Sequence, residues 1–329
     1  MWIGEEKLRR PKRSVRTLSV LVIVTVLALV ALVIPFVVSE DDGFDSAADC
    51  TAYGIPAGDP LATADPVMHS TSSGLFSIFS KDEEETSWYT NPWDTEDYVE
   101  AEGVALGRSF GEQRDRSNYH LFTRGVDFTE PVGLLVRLHG DGAEEYLSPE
   151  GLSACLALVA ETYNMITLVP RTPDERSMTW WRNLEENVDW LNSLVAQISA
   201  EYGLDAESVW WMGYSGGAEL ISYGLIPYSA ESVTGGAILL GGGGAPERNR
   251  LDVAASLRER MPLYWVTGQR DDGTDPAEPF NAIEAATEGA QWYRNHGFAR
   301  VHTDFPAEYD HFTLPHAAIL REVLLTEIK

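Results

Sequence analysis

Basic residues are scarce in this sequence. Lysines and arginines together number 24 against 51 aspartates and glutamates, which gives a formal net charge of −27 at pH 7. A field of that sign repels phosphate, so the composition argues against nucleic acid and against an anionic lipid surface as partners. Hydrophobic residues make up 44% of the 329 residues, enough for a sizeable core in one large domain with an appendage.

Cysteine is nearly absent, since the chain has only Cys50 and Cys155. The two lack the spacing of metal ligands, so the sequence predicts no metal site. Cys155 lies among apolar residues of a predicted helix, which favours a buried free thiol. A disulfide between Cys50 and Cys155 is the alternative if the domain lies outside the cytoplasm, where disulfides persist.

Charge is absent from residues 17–39, which are mostly Val, Leu, Ile and Ala. As a helix this stretch would measure about 34 Å, enough to cross a hydrocarbon layer of about 30 Å. Signal peptides usually have a shorter apolar core, so an uncleaved transmembrane anchor is preferred and a cleaved signal peptide is the alternative. A basic tail at 1–16 and acidic residues after the span predict a single-pass protein of the cell membrane, with a cytoplasmic N-terminus and the remaining chain outside.

Residues 40–100 lack a clear hydrophobic period and are rich in Asp, Ser, Thr, Gly and Pro, which predicts an acidic stalk and an irregular lead-in. From 101 to 329, short apolar runs alternate with amphipathic helical patterns. This alternation predicts one α/β domain with a mostly parallel sheet and helices on both faces. The predicted strands are 104–110, 119–123, 132–138, 165–169, 209–212, 234–240, 262–267 and 301–305. The predicted helices are 152–163, 184–202, 218–223, 251–260, 280–295 and 316–328.

One short motif, Gly213-Tyr214-Ser215-Gly216-Gly217, stands between the strand 209–212 and a helix-compatible run. A serine at the apex of a tight strand-to-helix turn exposes its hydroxyl to a substrate. Glycines on both sides of the serine avoid collisions where strand and helix pack closely. The motif resembles the G-x-S-x-G nucleophile elbow of α/β-hydrolases, which predicts Ser215 as the nucleophile.

A serine hydroxyl needs an adjacent base, and an imidazole oriented by a carboxylate supplies one. Among the histidines after Ser215, only His311 lies in the loop after the last predicted strand, so we predict that His311 is the base. Asp271 directly follows the strand 262–267 and is the predicted acid, with its neighbour Asp272 as the alternative. We expect these residues to meet because sites in such sheets lie beyond the carboxyl ends of the strands.

The negative oxygen of a tetrahedral intermediate needs two hydrogen-bond donors, called the oxyanion hole. The N–H of Gly216 follows the nucleophile at the start of a helix, where the dipole also favours negative charge. The turn His139-Gly140-Asp141-Gly142 is expected to supply the second donor. We predict the N–H of Asp141, with Gly142 as the alternative, and interpret His139 as structural.

Two aromatic residues, Trp181 and Tyr214, are candidates for the lining of a substrate cleft. Glu219 lies four residues after Ser215, about one helical turn away. We interpret it as a residue of the helix face with no part in the chemistry.

Over about residues 100–329 the chain resembles the α/β-hydrolase superfamily, through Leu138-His139-Gly140, the elbow motif, Gly268 to Asp271, and His311. The run 207–218 looks like the secreted esterases that include polyhydroxybutyrate-depolymerase-like and feruloyl-esterase-like proteins. The resemblance implies an eight-stranded, mostly parallel sheet and a Ser-His-Asp triad that works without metal or organic cofactor.

The expected function is that of a membrane-anchored, extracytoplasmic serine hydrolase. A carboxylic-ester hydrolase is favoured, acting through an acyl-enzyme on a small-molecule or cell-envelope ester. Two alternatives stay open: an acyltransferase that acts on cell-envelope acceptors, and a non-catalytic scaffold or binding protein with a hydrolase fold. The superfamily includes esterases, lipases, peptidases and acyltransferases, so the fold does not select a substrate.

Overall fold

The apolar runs after residue 98 form one sheet in the computed structural model of the protein, which describes residues 49–63, 99–101, 103–112, 115–247, 251–276 and 279–328. Nine strands make up the sheet within these residues. They are β1 (Val99–Ala101), β2 (Val104–Phe110), β3 (Ser117–Phe122), β4 (Gly133–Leu138), β5 (Met165–Pro170), β6 (Val209–Tyr214), β7 (Gly236–Leu240), β8 (Pro262–Val266) and β9 (Arg300–Asp304).

The strands are arranged in the order β1-β2-β3-β5-β4-β6-β7-β8-β9. The pairs from β1 to β5 are antiparallel, whereas every pair from β5 to β9 is parallel. The prediction of a mostly parallel sheet is therefore confirmed. The resemblance implied eight strands, and the additional one is β1, which has three residues at the edge of the sheet. A strand this short leaves no readable alternation in the sequence.

Helices cover both faces of the sheet, as predicted. Successive side chains of β4 alternate between the faces, so that Leu134 belongs to one hydrophobic core and Leu135 to the other. The helix Leu184–Tyr202 packs on the first core, and the helices Ala154–Glu161 and His316–Glu327 pack on the second. The α-helices of the described residues are Glu144–Leu147, Ala154–Glu161, Leu184–Tyr202, Gly216–Leu220, Ile226–Ser229, Ala255–Arg260, Ala282–Asn295 and His316–Glu327.

The predicted helix 152–163 begins differently from the prediction. A π-helical turn, Pro149–Ser153, precedes the α-helix that starts at Ala154, and Gly151 within this turn has φ −91° and ψ −112°. These angles lie outside the helical region and interrupt the helix. The interruption makes room for a residue from the N-terminal part of the chain, since a Cβ on Gly151 would come within 2.9 Å of the Tyr53 hydroxyl oxygen.

The two cysteines are joined by a disulfide bond. Cys50 begins a 3₁₀ turn, Cys50–Tyr53, and is bonded to Cys155 of the helix Ala154–Glu161. Both cysteines are 1% exposed. The disulfide thus replaces the interpretation of Cys155 as a free thiol. The sequence left this open because 105 residues separate the partners.

Residues 49–63 pack onto the domain, although the sequence placed them in a stalk. Ile55 is 2% exposed and lies in the same core as Leu156, and the Asp59 carboxylate accepts a hydrogen bond from Arg321 at 2.6 Å. The segment has too few apolar residues to show a period, so its packing could not be predicted.

The predicted basic tail at 1–16, the predicted span at 17–39 and the stalk residues 40–48 and 64–98 lie outside the described residues. Within the described part of the chain, no helix is both long and apolar enough to cross a bilayer.

Replacing both cysteines by serine, Cys50→Ser with Cys155→Ser, is expected to lower the free energy of unfolding by about 3–5 kcal/mol. A bond that closes a loop of roughly 100 residues removes that much conformational freedom from the unfolded chain. Chemical denaturation with and without dithiothreitol measures the effect. The reductant should destabilise the wild-type protein and leave the double variant unchanged; two free thiols in the denatured, unreduced wild type would contradict the disulfide.

Candidate active site

Ser215 forms a sharp turn between β6 and a helix. Strand β6 ends at Tyr214 and the helix begins at Gly216, so Ser215 alone reverses the chain, with φ 49° and ψ −118°. Residues other than glycine rarely adopt a positive φ, because it strains the backbone. Strain of this kind is typical of functional sites. The N–H of Ser215 donates to the Leu240 carbonyl at 2.9 Å, and its carbonyl accepts from the N–H of Glu219 at 3.0 Å. These bonds hold the strained turn.

The glycines of the motif are required sterically. A Cβ on Gly213 would lie 2.4 Å from the carbonyl oxygen of Gly217, and a Cβ on Gly217 would lie 2.7 Å from that of His139. Backbone atoms cannot move aside easily at such distances. Strand and helix can therefore approach closely enough to form the turn only if both positions lack a side chain.

The structure brings His311 and Asp271 together at the ends of the later strands. Nδ1 of His311 lies 2.7 Å from Oδ2 of Asp271, and the two residues are 4% and 3% exposed. In this arrangement Nδ1 carries the proton and donates to the carboxylate, which leaves Nε2 as the acceptor. The Tyr214 hydroxyl donates to the His311 carbonyl at 2.8 Å, and the Ile283 N–H donates to the Asp271 carbonyl at 3.0 Å. Both members of the pair are thus held from a second side.

Asp272, the alternative acid, points elsewhere. It is exposed, and its Oδ1 accepts from the N–H of Thr274 at 3.0 Å and from the hydroxyl of Thr274 at 2.6 Å. These bonds, the hydroxyl first, lower the pKa of Asp272 below its ordinary value. The arrangement is that of a turn-stabilising aspartate.

Ser215 and His311 line the same cleft, which has a volume of about 480 Å³. Tyr214, one of the predicted lining residues, also borders it. The walls are close on both sides: a Cβ on Gly140 would lie 3.5 Å from the Ser215 Cβ, and a Cβ on Gly241 would lie 3.3 Å from Nδ1 of His311. The predicted nucleophile and the imidazole therefore face one shared space.

The predicted oxyanion donors belong to the residue after Ser215 and to the turn after β4, and Asp141 of that turn lines the same cleft as Ser215. Gly216 is the first residue of its helix, where N–H groups have no carbonyl four residues earlier to bond. The alternative donor, the N–H of Gly142, donates to the Met178 carbonyl at 3.2 Å and is engaged there. Asp141 stays the predicted second donor.

The side chain of Asp141 has a role that the sequence did not reveal. Its two carboxylate oxygens accept hydrogen bonds from Nε1 of Trp181 at 3.2 and 3.0 Å. One of these oxygens would lie 2.1 Å from a Cβ on Gly216, so a side chain at that position would displace the Asp141 carboxylate. Trp181 is not among the residues that line the cleft in the described part of the chain. It holds Asp141 at the rim.

His139 and His316 are buried, uncharged histidines next to the site. Nδ1 of His139 donates to the Gly140 carbonyl at 2.6 Å and its Nε2 accepts from the Thr172 N–H at 3.1 Å, which agrees with a structural role. Burial lowers the pKa of His139 to about 4. Burial, followed by Arg137 and His311, holds the pKa of His316 well below its ordinary value.

Glu219 lies in the helix after the elbow, as the sequence interpretation had it, and its carboxylate has a structural role that the sequence did not reveal. It is 6% exposed, and its Oε1 and Oε2 accept from the N–H groups of Gly243 at 3.0 Å and Gly244 at 3.2 Å. Burial raises its pKa above the ordinary value, while a hydrogen bond from Tyr223 and those from the two glycines act in the opposite direction. Because Gly241 of the same loop borders His311, Glu219 supports one wall of the site. Its position one helical turn after the elbow was the only signal in the sequence for this role.

Glu219→Ala is expected to leave the N–H groups of Gly243 and Gly244 buried without an acceptor, at a cost of about 1–3 kcal/mol for each group. The loop would then be free to shift beside His311, so turnover should fall together with stability. Glu219→Gln is the matched control, because its amide keeps one acceptor oxygen and should lose less. Denaturation curves and turnover measured for both variants check this expectation. Values equal to the wild type for Glu219→Ala would contradict it.

A strained serine after a central strand, followed along the chain by an aspartate and then a histidine at later strand ends, is the order found in α/β-hydrolases. The described residues have the α/β-hydrolase fold. Among these residues, no group of three or more His, Cys, Asp or Glu side chains is placed to hold a metal ion.

No protein-family model and no curated protein matches the chain. Solved structures resemble it. A carboxylesterase from Bacillus cereus is 19% identical, with coverage of 64% of this chain and 95% of that chain and a TM-score of 0.48. A poly(3-hydroxybutyrate) depolymerase from Bordetella parapertussis is 13% identical, with 64% and 86% covered and a TM-score of 0.49. A thermostable esterase is 18% identical, and the chain spans only 58% of its length, with 65% of this chain covered and a TM-score of 0.47. Likenesses of this degree do not select a reaction or a substrate.

Proposed function

We propose that the chain is a serine hydrolase that cleaves carboxylic esters through an acyl-enzyme. One observation carries the proposal: a serine in a strained turn and His311, whose Nδ1 lies 2.7 Å from the buried Asp271 carboxylate, border a single cleft. A serine hydroxyl and an imidazole whose outer nitrogen is an acceptor, both on one cleft, are the groups that acyl transfer requires.

In the proposed reaction, Nε2 of His311 takes the Ser215 proton as the serine oxygen attacks the acyl carbon. Asp271 keeps the ring in the correct tautomer and stabilises the imidazolium. The N–H groups of Gly216 and Asp141 receive the negative oxygen of the intermediate. The imidazolium then returns its proton to the leaving alcohol, and water, activated by the same imidazole, releases the acid.

The location of the enzyme is part of the proposal. The charge-free run 17–39 would anchor the chain in the cell membrane, with residues 1–16 in the cytoplasm and the hydrolase domain outside. The disulfide between Cys50 and Cys155 supports an oxidising compartment, because such bonds are rare in the cytosol. A small-molecule or cell-envelope ester is then the accessible substrate.

Labelling with a fluorophosphonate tests the chemistry directly, because this probe phosphonylates serines that are activated by a base much faster than ordinary serines. The full-length protein, in detergent, is treated with the probe, digested and mapped by mass spectrometry, and hydrolysis of p-nitrophenyl acetate is followed in parallel. We expect the label on Ser215 and loss of turnover in proportion to labelling. Unlabelled Ser215, together with no ester hydrolysis, would reject the proposal and favour a scaffold.

A further inference from the structure

The cleft of the proposed active site is not built from the hydrolase domain alone. Tyr53, which precedes that domain by almost fifty residues in the sequence, borders the same cleft as Ser215 and His311. Its side chain is partly buried and packs on the core that contains Leu152. The residue therefore reaches the site from a part of the chain that the sequence assigned to a stalk.

Several contacts fix Tyr53 in this position. The turn Cys50–Tyr53 is tied to the domain by the disulfide to Cys155. The next residue, Gly54, has φ 91°, and a Cβ there would lie 2.5 Å from the Cβ of Pro315. No side chain can be accommodated at such a distance, so the turn is seated tightly against the start of the C-terminal helix. A ring held on both sides loses little freedom when a substrate binds, which favours affinity.

The surroundings of Tyr53 indicate which part of a substrate its side chain can contact. The residues that line the cleft include the apolar or aromatic residues Tyr53, Leu152, Phe312 and Leu314. The Tyr53 hydroxyl is turned towards Gly151. Burial, followed by the charge of Glu150, raises its pKa above the ordinary value, while a hydrogen bond with the backbone of Leu152 acts in the opposite direction. With its polar end so occupied, the ring contributes apolar surface to the cleft.

We propose that Tyr53 is a specificity-determining residue of this site and that, with Leu152 and Leu314, it forms the wall that receives the apolar acyl chain of a medium-length ester. The proposal rests on the proposed function, since it names the substrate class of the same cleft. Tyr53 touches the part of the substrate remote from the reacting bond. It acts through binding, so its loss changes the preference among esters.

The test compares p-nitrophenyl hexanoate with p-nitrophenyl acetate, which share a leaving group and differ only in the acyl chain. The ratio of kcat/KM for hexanoate to kcat/KM for acetate is measured for the full-length wild type, Tyr53→Ala and Tyr53→Phe. We expect Tyr53→Ala to lower the ratio about tenfold, mainly through KM, because contacts of one or two carbons in an apolar pocket are worth about that much. Tyr53→Phe keeps the ring and should keep the ratio.

Leu61→Ala is the matched control. Leu61 lies in the same N-terminal segment and packs on the same core, but it does not border the cleft. A reduced ratio in Leu61→Ala equal to that in Tyr53→Ala would overturn the proposal, because the effect would then come from loosening of the segment. An unchanged ratio in Tyr53→Ala would also overturn the proposal for Tyr53. The proposed function would still stand in that case if the wild-type protein hydrolysed both esters. A wild type that hydrolyses neither ester and takes no fluorophosphonate would overturn both.

Discussion

Ser215→Ala is expected to lower kcat for p-nitrophenyl acetate by about 10⁴- to 10⁶-fold. Removing the nucleophile of a serine hydrolase leaves only the contribution of the oxyanion hole and of substrate binding. Alanine has the same backbone preferences as serine to a first approximation, so the strained turn at φ 49° should be retained. Initial rates at saturating ester, with the fold checked by thermal unfolding, measure the effect.

The matched control for this variant is Ser193→Ala. Ser193 is exposed on the helix Leu184–Tyr202, and its hydroxyl donates to the Asp189 carbonyl in the preceding turn. Its removal should change neither rate nor stability measurably. Full activity in Ser215→Ala would mean that another group performs the attack, and the mechanism proposed here would be wrong.

The elbow could be predicted because its signal is local. Gly213, Ser215 and Gly217 lie within five positions, and the steric reason for each glycine depends only on the neighbouring strand and helix. The parallel sheet could be predicted for a similar reason, since each buried strand is a short apolar run between helical patterns. The edge strand β1 and the packed segment 49–63 have no such local pattern, so their positions depend on contacts with distant parts of the chain.

The disulfide and the role of Glu219 could not be predicted, because both depend on contacts between distant parts of the chain. Cys50 and Cys155 are separated by 105 residues, and nothing near either cysteine identifies its partner. Glu219 could be placed on a helix, but the groups it contacts, the N–H groups of Gly243 and Gly244, belong to the loop after another strand. Which side of a helix is buried by a remote loop is a property of the folded chain and not of the local sequence.

The sequence left two aspartates as candidates for the acid, because contacts with distant residues decide between them. Asp271 and Asp272 are adjacent in a loop, where the sequence does not show which of two neighbouring side chains faces the site. In the structure the carbonyl of Asp271 is held by the Ile283 N–H, and the carboxylate of Asp272 is held by Thr274. These two contacts turn Asp271 towards His311 and Asp272 away from it.

Asp271→Asn is therefore expected to lower kcat/KM for p-nitrophenyl acetate by about 10³- to 10⁴-fold, because an amide can donate to Nδ1 of His311 and so favour the wrong tautomer. Asp272→Asn is the matched control: asparagine keeps an oxygen that accepts from Thr274, so the loop should hold and the rate should stay within about twofold of the wild type. Rates of both variants at pH 7 to 8 provide the comparison. Small, equal losses would mean that neither aspartate orients the imidazole, and a larger loss in Asp272→Asn would mean that the loop rearranges when substrate binds.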